Sequence, residues 1–242
     1  LFPARVAAVK RRNDLALLRV DAEIDFQPLT FATRSPAIAS FLISVGRTGR
    51  PIGLGVVGVK ERPIEHRGRL GVMLEDDAKG RALVQLVLPE SGAAIAGISP
   101  GDRIIAINGE AEGSRDAVIN RLKSMYPGES VKLTILRPND LSEFDSLDIS
   151  AQIRELGMLQ ESASDTKVNG PRNIRLSGFD RVIQHDTVLD PEDCGGPVID
   201  SEGRAIGMNI ARAGRVVSYL LPSSLILPEM LEMLEEARAN LD

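Results

Sequence analysis

The strongest constraint on this chain is how its apolar residues are parcelled out. They come in short, β-branched runs, and 22 Gly and 14 Pro are spread along the 242 residues as punctuation. Ala4 to Val9, Leu15 to Val20, Phe41 to Val45 and Val56 to Val59 each fit a strand bounded by turns. Two segments carry helical periodicity. In Ser114 to Met125, Ser114 suits an N-cap and Val118, Leu122 and Met125 share one face. Leu225 to Asn240 is rich in Leu and Glu and follows the opening Pro222-Ser223-Ser224. A mostly-β fold with few helices is expected.

Composition excludes several function classes. Lys plus Arg is 29 against 34 Asp plus Glu, a net charge of −5 that offers no electrostatic footprint for nucleic acid. Aromatic residues are 3% with no Trp, which argues against base-stacking and sugar-binding platforms. A single Cys leaves no internal disulfide framework. No run approaches the roughly 18–20 apolar residues of a membrane helix. The sequence has neither a Walker loop nor a His/Cys cluster, so no metal, nucleotide or redox cofactor is expected. The chain opens Leu1-Phe2-Pro3 without an initiator Met and reads as part of a longer product, with any targeting segment upstream.

Two joints divide the chain. One is Arg62-Pro63-Ile64-Glu65-His66-Arg67-Gly68. The other, Gly157 to Asn173, contains Glu161-Ser162-Ala163-Ser164-Asp165 and Asn169-Gly170-Pro171, with little apolar periodicity. The expected stretches are 1–64, 66–155 and 174–242.

The middle stretch opens on the apolar loop Arg69-Leu70-Gly71-Val72. Further on, Gly92 to Gly109 reads as a small-residue helix, a tight turn, a strand and an Asn-Gly hairpin turn. The helix from Ser114, the turn Pro127-Gly128-Glu129 and the strand Val131 to Arg137 follow. This run, above all "AGISPGDRIIAINGE", resembles a PDZ domain of the bacterial protease-associated type. The resemblance implies that a peptide C-terminus adds as a strand to a sheet edge, its carboxylate held by backbone N–H groups. On that reading Arg69, Leu70, Gly71 and Val72 form the carboxylate loop, and Val118 and Leu122 line the groove from the helix. The alternative is that the apolar members are core alone.

In the outer stretches, Pro191-Glu192-Asp193-Cys194-Gly195-Gly196-Pro197 lies between two strands, and Arg204 to Ile210 follows the Glu202-Gly203 turn. A nucleophile on such a tight loop is exposed, and neighbouring N–H groups can face a developing oxyanion. The order of these segments resembles the nucleophile region of trypsin-like proteases of the HtrA/Do type, with Cys194 at the Ser position. Asn13-Asp14-Leu15-Ala16-Leu17-Leu18 resembles the family segment that carries the triad Asp, which places Asp14 there. Phe41 to Gly46 and Gly53 to Val59 resemble the opening strands of the second barrel. Tyr219 to Ser223 and the final helix resemble its close. The expected architecture is a partial trypsin-like double β-barrel interrupted by a PDZ domain, with a C-terminal helix.

The resemblance implies an oxyanion hole at Glu192, Asp193 and Cys194, and a specificity pocket at Val188, Leu189, Asn209 and Ile210 with an apolar P1 preference. Three departures matter. The nucleophile is a thiol, which needs a base to reach its thiolate. Glu192 stands where the family has Gly, and its charge opposes an oxyanion. No His precedes Asp14, so the catalytic His is expected upstream of Leu1. His66 and His185 are read as structural rather than as the base. Cys194 can also be read as a small buried residue and Asp14 as part of a charged turn.

The expected function is therefore HtrA-type endopeptidase activity with PDZ-mediated binding of polypeptides or protein C-termini. The alternative is an inactive pseudoprotease acting as a peptide-binding module. The resemblance also suggests the periplasm or cell envelope, and leaves room for a homo-oligomer.

Overall fold

The computed structural model describes residues 2–23, 25–141 and 143–239. It falls into two compact units, each assembled from discontinuous stretches. One comprises Leu1–Glu65, Asn169–Asn173 and Gly178–Asp242, and the other His66–Val168 and Ile174–Ser177. The chain is mostly β with a C-terminal helix, as its short β-branched runs imply.

The first unit opens with a hairpin of β1 (Ala4–Lys10) and β2 (Leu15–Val20), joined by a 3₁₀ turn at Arg11–Asn13. β3 (Phe41–Val45) and β4 (Pro51–Ile64) follow. After the second unit the chain returns with β13 (Phe179–His185), β14 (Pro197–Ile199), β15 (Ala205–Gly214) and β16 (Val217–Pro222). These close a barrel in the order β13-β16-β15-β14-β3-β4, with β4 pairing back to β13. Closure gives each barrel strand two neighbours over at least part of its length, and inward residues alternate with outward ones. Leu42, Val57, Ile183, Val198 and Leu220 meet inside, each no more than 1% exposed. Helix α5 (Ser223–Ala239) packs against the β1–β2 hairpin, where Lys10 pairs with Glu232 at 3.0 Å. The helix expected from Leu225 starts two residues earlier, and its expected last residue, Asn240, lies outside the described residues.

The second unit runs β5 (Gly68–Arg69), β6 (Val72–Asp76), β7 (Ala82–Val87), α1 (Gly92–Ile95), β8 (Arg103–Ile107) and β9 (Glu110–Ala111). It continues with α2 (Arg115–Lys123), β10 (Ser130–Pro138), β11 (Phe144–Gln152) and β12 (Arg154–Glu155). Its main sheet has the order β11-β10-β8-β7-β6, so β6 is an edge strand. Ser91 and Ser114 cap α1 and α2 by accepting from the N–H groups of Ala94 and Ala117. Asn108 and Gly109 both have positive φ, the two-residue hairpin geometry that Asn-Gly favours. Asp102 is 1% exposed, and its carboxylate is gripped by both ends of the Arg137 guanidinium at 2.8 and 2.7 Å.

The joint at Gly157 to Asn173 is not featureless. It holds two short helices, α3 (Leu156–Leu159) and α4 (Ala163–Asn169). Ser162 and Asp165 exchange hydrogen bonds at the start of α4, a local capping signal that outweighs the lack of apolar periodicity.

Candidate functional site

The second unit carries a groove of about 330 Å³ between β6 and α2. Arg69, Leu70, Gly71 and Val72 lie at one end of it, and Leu122 lies on the helix side. The loop is pinned by its carbonyls: Ala93 N–H donates to Leu70 O at 3.0 Å and Leu88 N–H to Gly71 O at 2.9 Å. Gly71 has a φ of +90°, and a Cβ there would run into the Ser91 side chain. Only glycine meets both demands. Val118, expected to line the groove, instead points into the core and is fully buried. The next residue, Ile119, lines the groove in its place, together with Leu122. Leu74, Lys123 and Leu156 also line the groove. Sequence reading missed Leu156 because it lies past β12, one residue beyond the expected 66–155 stretch.

In the barrel unit, Cys194 follows a 3₁₀ turn at Pro191–Asp193. The turn is closed by two backbone bonds, Asp193 N–H to Asp190 O at 2.9 Å and Cys194 N–H to Pro191 O at 3.4 Å. The Asp193 carboxylate accepts from Asp190 N–H at 3.1 Å. Of the expected oxyanion donors, the Cys194 N–H is therefore engaged within the turn, and the Glu192 side chain is exposed. Past the cysteine, Gly195 N–H donates to Asn209 O at 2.7 Å and Asn209 N–H to Gly196 O at 3.0 Å, which ties the loop to β15.

The thiol is partly buried and lies 3.4 Å from Asn173 Oδ1. Burial pushes its pKa above the ordinary thiol value, and the Arg212 N–H and the Asn173 side chain work against that rise. Asn173 also accepts from Arg212 N–H at 2.7 Å and donates through Nδ2 to Pro191 O at 3.3 Å. The sequence offered no signal for Asn173 or Arg212. They are 39 positions apart and meet only in the folded chain.

Asp14 does not join this cluster through any hydrogen bond or ion pair among the described residues. It is exposed and takes a φ of +55°, ending the 3₁₀ turn of the β1–β2 hairpin with its N–H on Arg11 O. The tying residue there is its neighbour Asn13, fully buried, whose Nδ2 donates to Glu229 at 2.6 Å and to Asp180 at 3.1 Å.

The four residues expected to form a specificity pocket differ in exposure. Val188 is 60% exposed, Leu189 is 1% exposed in the core, and Asn209 and Ile210 are buried. The cavity beside Cys194, about 380 Å³, is bounded by Val45, Gly46, Arg47 and Ile52 from β3, β4 and the turn between them, and by residues 192–197. Past the end of β13 at His185, the chain exposes Val188 and buries Leu189, so the two residues expected to set an apolar P1 preference do not share one surface.

His185 is 1% exposed, and its Nδ1 lies 2.9 Å from Thr187 Oγ1. Burial pushes its pKa down to about 4, and the Asn209 side chain and the Asp186 charge pull the other way without offsetting it. Asn209 in turn donates to Ser44 Oγ at 3.0 Å. His66 belongs to the other unit, where its ring lies 4.8 Å from that of Tyr126 and burial lowers its pKa. Among the described residues no group of three or more His, Cys, Asp or Glu is placed to hold a metal ion, and no helix is long and apolar enough to cross a membrane.

Residues 68–146 match the family model described as PDZ domain. Over 100 residues the chain is 34% identical to the periplasmic pH-dependent serine endoprotease DegQ of Escherichia coli, which covers 41% of this chain and 21% of that protein. Over 127 residues it is 28% identical to the periplasmic serine endoprotease DegP of Salmonella typhimurium, covering 52% and 24%. Among solved structures, a protease of M. tuberculosis in its active form aligns over 96% of this chain and 59% of its own, at 13% identity and a TM-score of 0.39. The chain spans less than a third of the length of the curated relatives it matches.

Proposed function

From these observations, a PDZ domain and a relationship to HtrA-type serine endoproteases, we propose that the protein is an HtrA-type endopeptidase that captures polypeptides through its PDZ unit. The observation that carries this reading is the open edge of β6 beside the groove. A peptide C-terminus would pair with β6 as an added strand, its last side chain among Leu70, Ile119 and Leu122. The N–H groups of the loop Arg69 to Val72 are the donors for its carboxylate, since the carbonyls of Leu70 and Gly71 are tied elsewhere.

Cys194 is the nucleophile in this reading. Its thiolate would attack the scissile carbonyl, and its own N–H, with that of Glu192, would meet the oxyanion. For that, the turn at Pro191–Asp193 has to release the Cys194 N–H from Pro191 O. Asp14 would orient a base that neither His185 nor His66 supplies. The named relatives are periplasmic, which supports the same compartment here.

A second reading has its own observation. The thiol faces an amide rather than a base, and its pKa is raised rather than lowered. That arrangement suits a silent barrel whose PDZ unit alone has a task.

One measurement tests the peptide capture that both readings share, and a second separates them. A fluorescent peptide with a free apolar C-terminus should bind at least 10-fold more tightly than its C-terminal amide, and equal affinities would refute carboxylate capture. In the intact protein, Cys194→Ala should abolish cleavage of an unfolded protein substrate. Undiminished cleavage by that variant removes Cys194 as nucleophile, and absence of cleavage by the unmodified protein favours the silent barrel.

A further inference from the structure

We propose that residues 169–173 are a built-in occupant of the Cys194 site, with Asn173 lying on the β15 edge where a peptide strand would otherwise add. This builds on the endopeptidase reading.

β15 pairs with β16 out to Gly214, but on its other side β14 accompanies it only as far as Met208, and the nucleophile loop then covers Asn209. Beyond that point both backbone groups of Arg212 are taken by Asn173. Asn173 N–H donates to Arg212 O at 3.1 Å, and Arg212 N–H donates to Asn173 Oδ1 at 2.7 Å. This is the reciprocal pair of bonds that one strand residue makes with its partner across a sheet edge, with the side-chain oxygen standing in for a backbone carbonyl. It is also what an incoming peptide requires of that edge.

The same side chain reaches the nucleophile loop. Nδ2 donates to Pro191 O, the carbonyl that also accepts from Cys194 N–H, and Oδ1 lies within reach of the thiol. One residue thus covers the strand edge and the thiol, and steadies the turn that engages an oxyanion donor. Gly170 of the same segment and Asp190 of the nucleophile loop both approach the Arg212 guanidinium. A Cβ on Gly170 would come within 3.4 Å of Arg212 Nη2, and Arg212 Nη1 lies 3.5 Å from Asp190. Peptide cleavage at Cys194 then requires this segment to leave.

The test is the rate at which iodoacetamide modifies Cys194 in the intact protein, followed by peptide-resolved mass spectrometry at pH 8. Asn173→Ala should raise that rate at least 10-fold over the unmodified protein, and cleavage of an unfolded substrate should rise with it. An unchanged or slower labelling rate overturns the occupancy. Faster labelling without any cleavage keeps the occupancy and discards the endopeptidase reading. A second measurement needs no variant. In the unmodified protein, the Asn173 and Arg212 amides should exchange hydrogen at least 10-fold more slowly than in an unstructured peptide, and exchange at the unstructured rate likewise overturns the proposal.

Discussion

At the scale of single residues, the chemistry of the barrel unit is set by desolvation. Burial disfavours the Cys194 thiolate, and the Asp193 charge adds to that against the hydrogen bonds of Arg212 N–H and Asn173, so the thiol pKa lies above its ordinary value. Alkylation of Cys194 should therefore keep accelerating with pH beyond about 8.5, where an unperturbed thiol is half ionised. A plateau near neutral pH would show a paired, low-pKa thiol instead. His185 is the complementary case. Its pKa falls from 6.5 to about 4 because the charged ring is disfavoured in the barrel interior. The unfolded chain then binds a proton that the folded chain does not, between those two values. Stability should fall as pH drops through that window, by roughly 3 kcal/mol from this group alone. Urea unfolding from pH 7 to pH 4 should show the loss, and His185→Gln should flatten the slope by about one proton. An identical slope in the variant would mean that His185 is not buried in its neutral form.

At the scale of elements, the groove depends on three local solutions meeting. An N-cap at Ser114 starts α2, the sheet order leaves β6 as an edge, and a left-handed glycine turns the loop between β5 and β6. The first and third are written in short stretches of sequence. Gly71 was legible because a small residue between Leu70 and Val72 admits close approach of backbone. The structure adds the second reason, the Ser91 side chain packed where a Cβ would go. Gly71→Ala should cost the second unit about 1–3 kcal/mol through backbone strain and this clash. It should also weaken binding of a free C-terminal peptide at least 10-fold, read by fluorescence anisotropy. Unaltered affinity would place the carboxylate elsewhere. The helix face was less legible. Periodicity identified Val118 and Leu122 as one apolar stripe but did not say which neighbour it met. Packing withdrew Val118 into the core, kept Leu122 at the groove and added Ile119 beside it.

At the scale of the whole molecule, each of the two compact units has its own hydrophobic core among the described residues. Leu133, Ile135 and Ile153 are fully buried in the core of one unit, and Leu42, Val198 and Leu220 in that of the other. Each core is made within its own unit, so a cavity should be felt where it is cut. Ile153→Ala and Leu42→Ala should each cost about 2–5 kcal/mol. Calorimetry should resolve two transitions, with each variant shifting a different one. A single transition lowered equally by both would show that the units unfold as one.

By itself the sequence determined the local vocabulary. Short β-branched runs make strands, Ser114 starts a helix, Asn108-Gly109 turns a hairpin, and Cys194 on its Gly-Gly-Pro loop marks the chemistry of interest. Each of these rests on interactions between residues a few positions apart, where propensity and sterics act directly. The tertiary structure alone decided what surrounds that cysteine. Asn173 and Arg212 come together across 39 positions, and Val188 is exposed while Leu189 and Ile210 are buried. Such placements follow from strand register and from which edge a barrel leaves open. Register is a property of pairs of distant segments, and no single stretch of the chain encodes it.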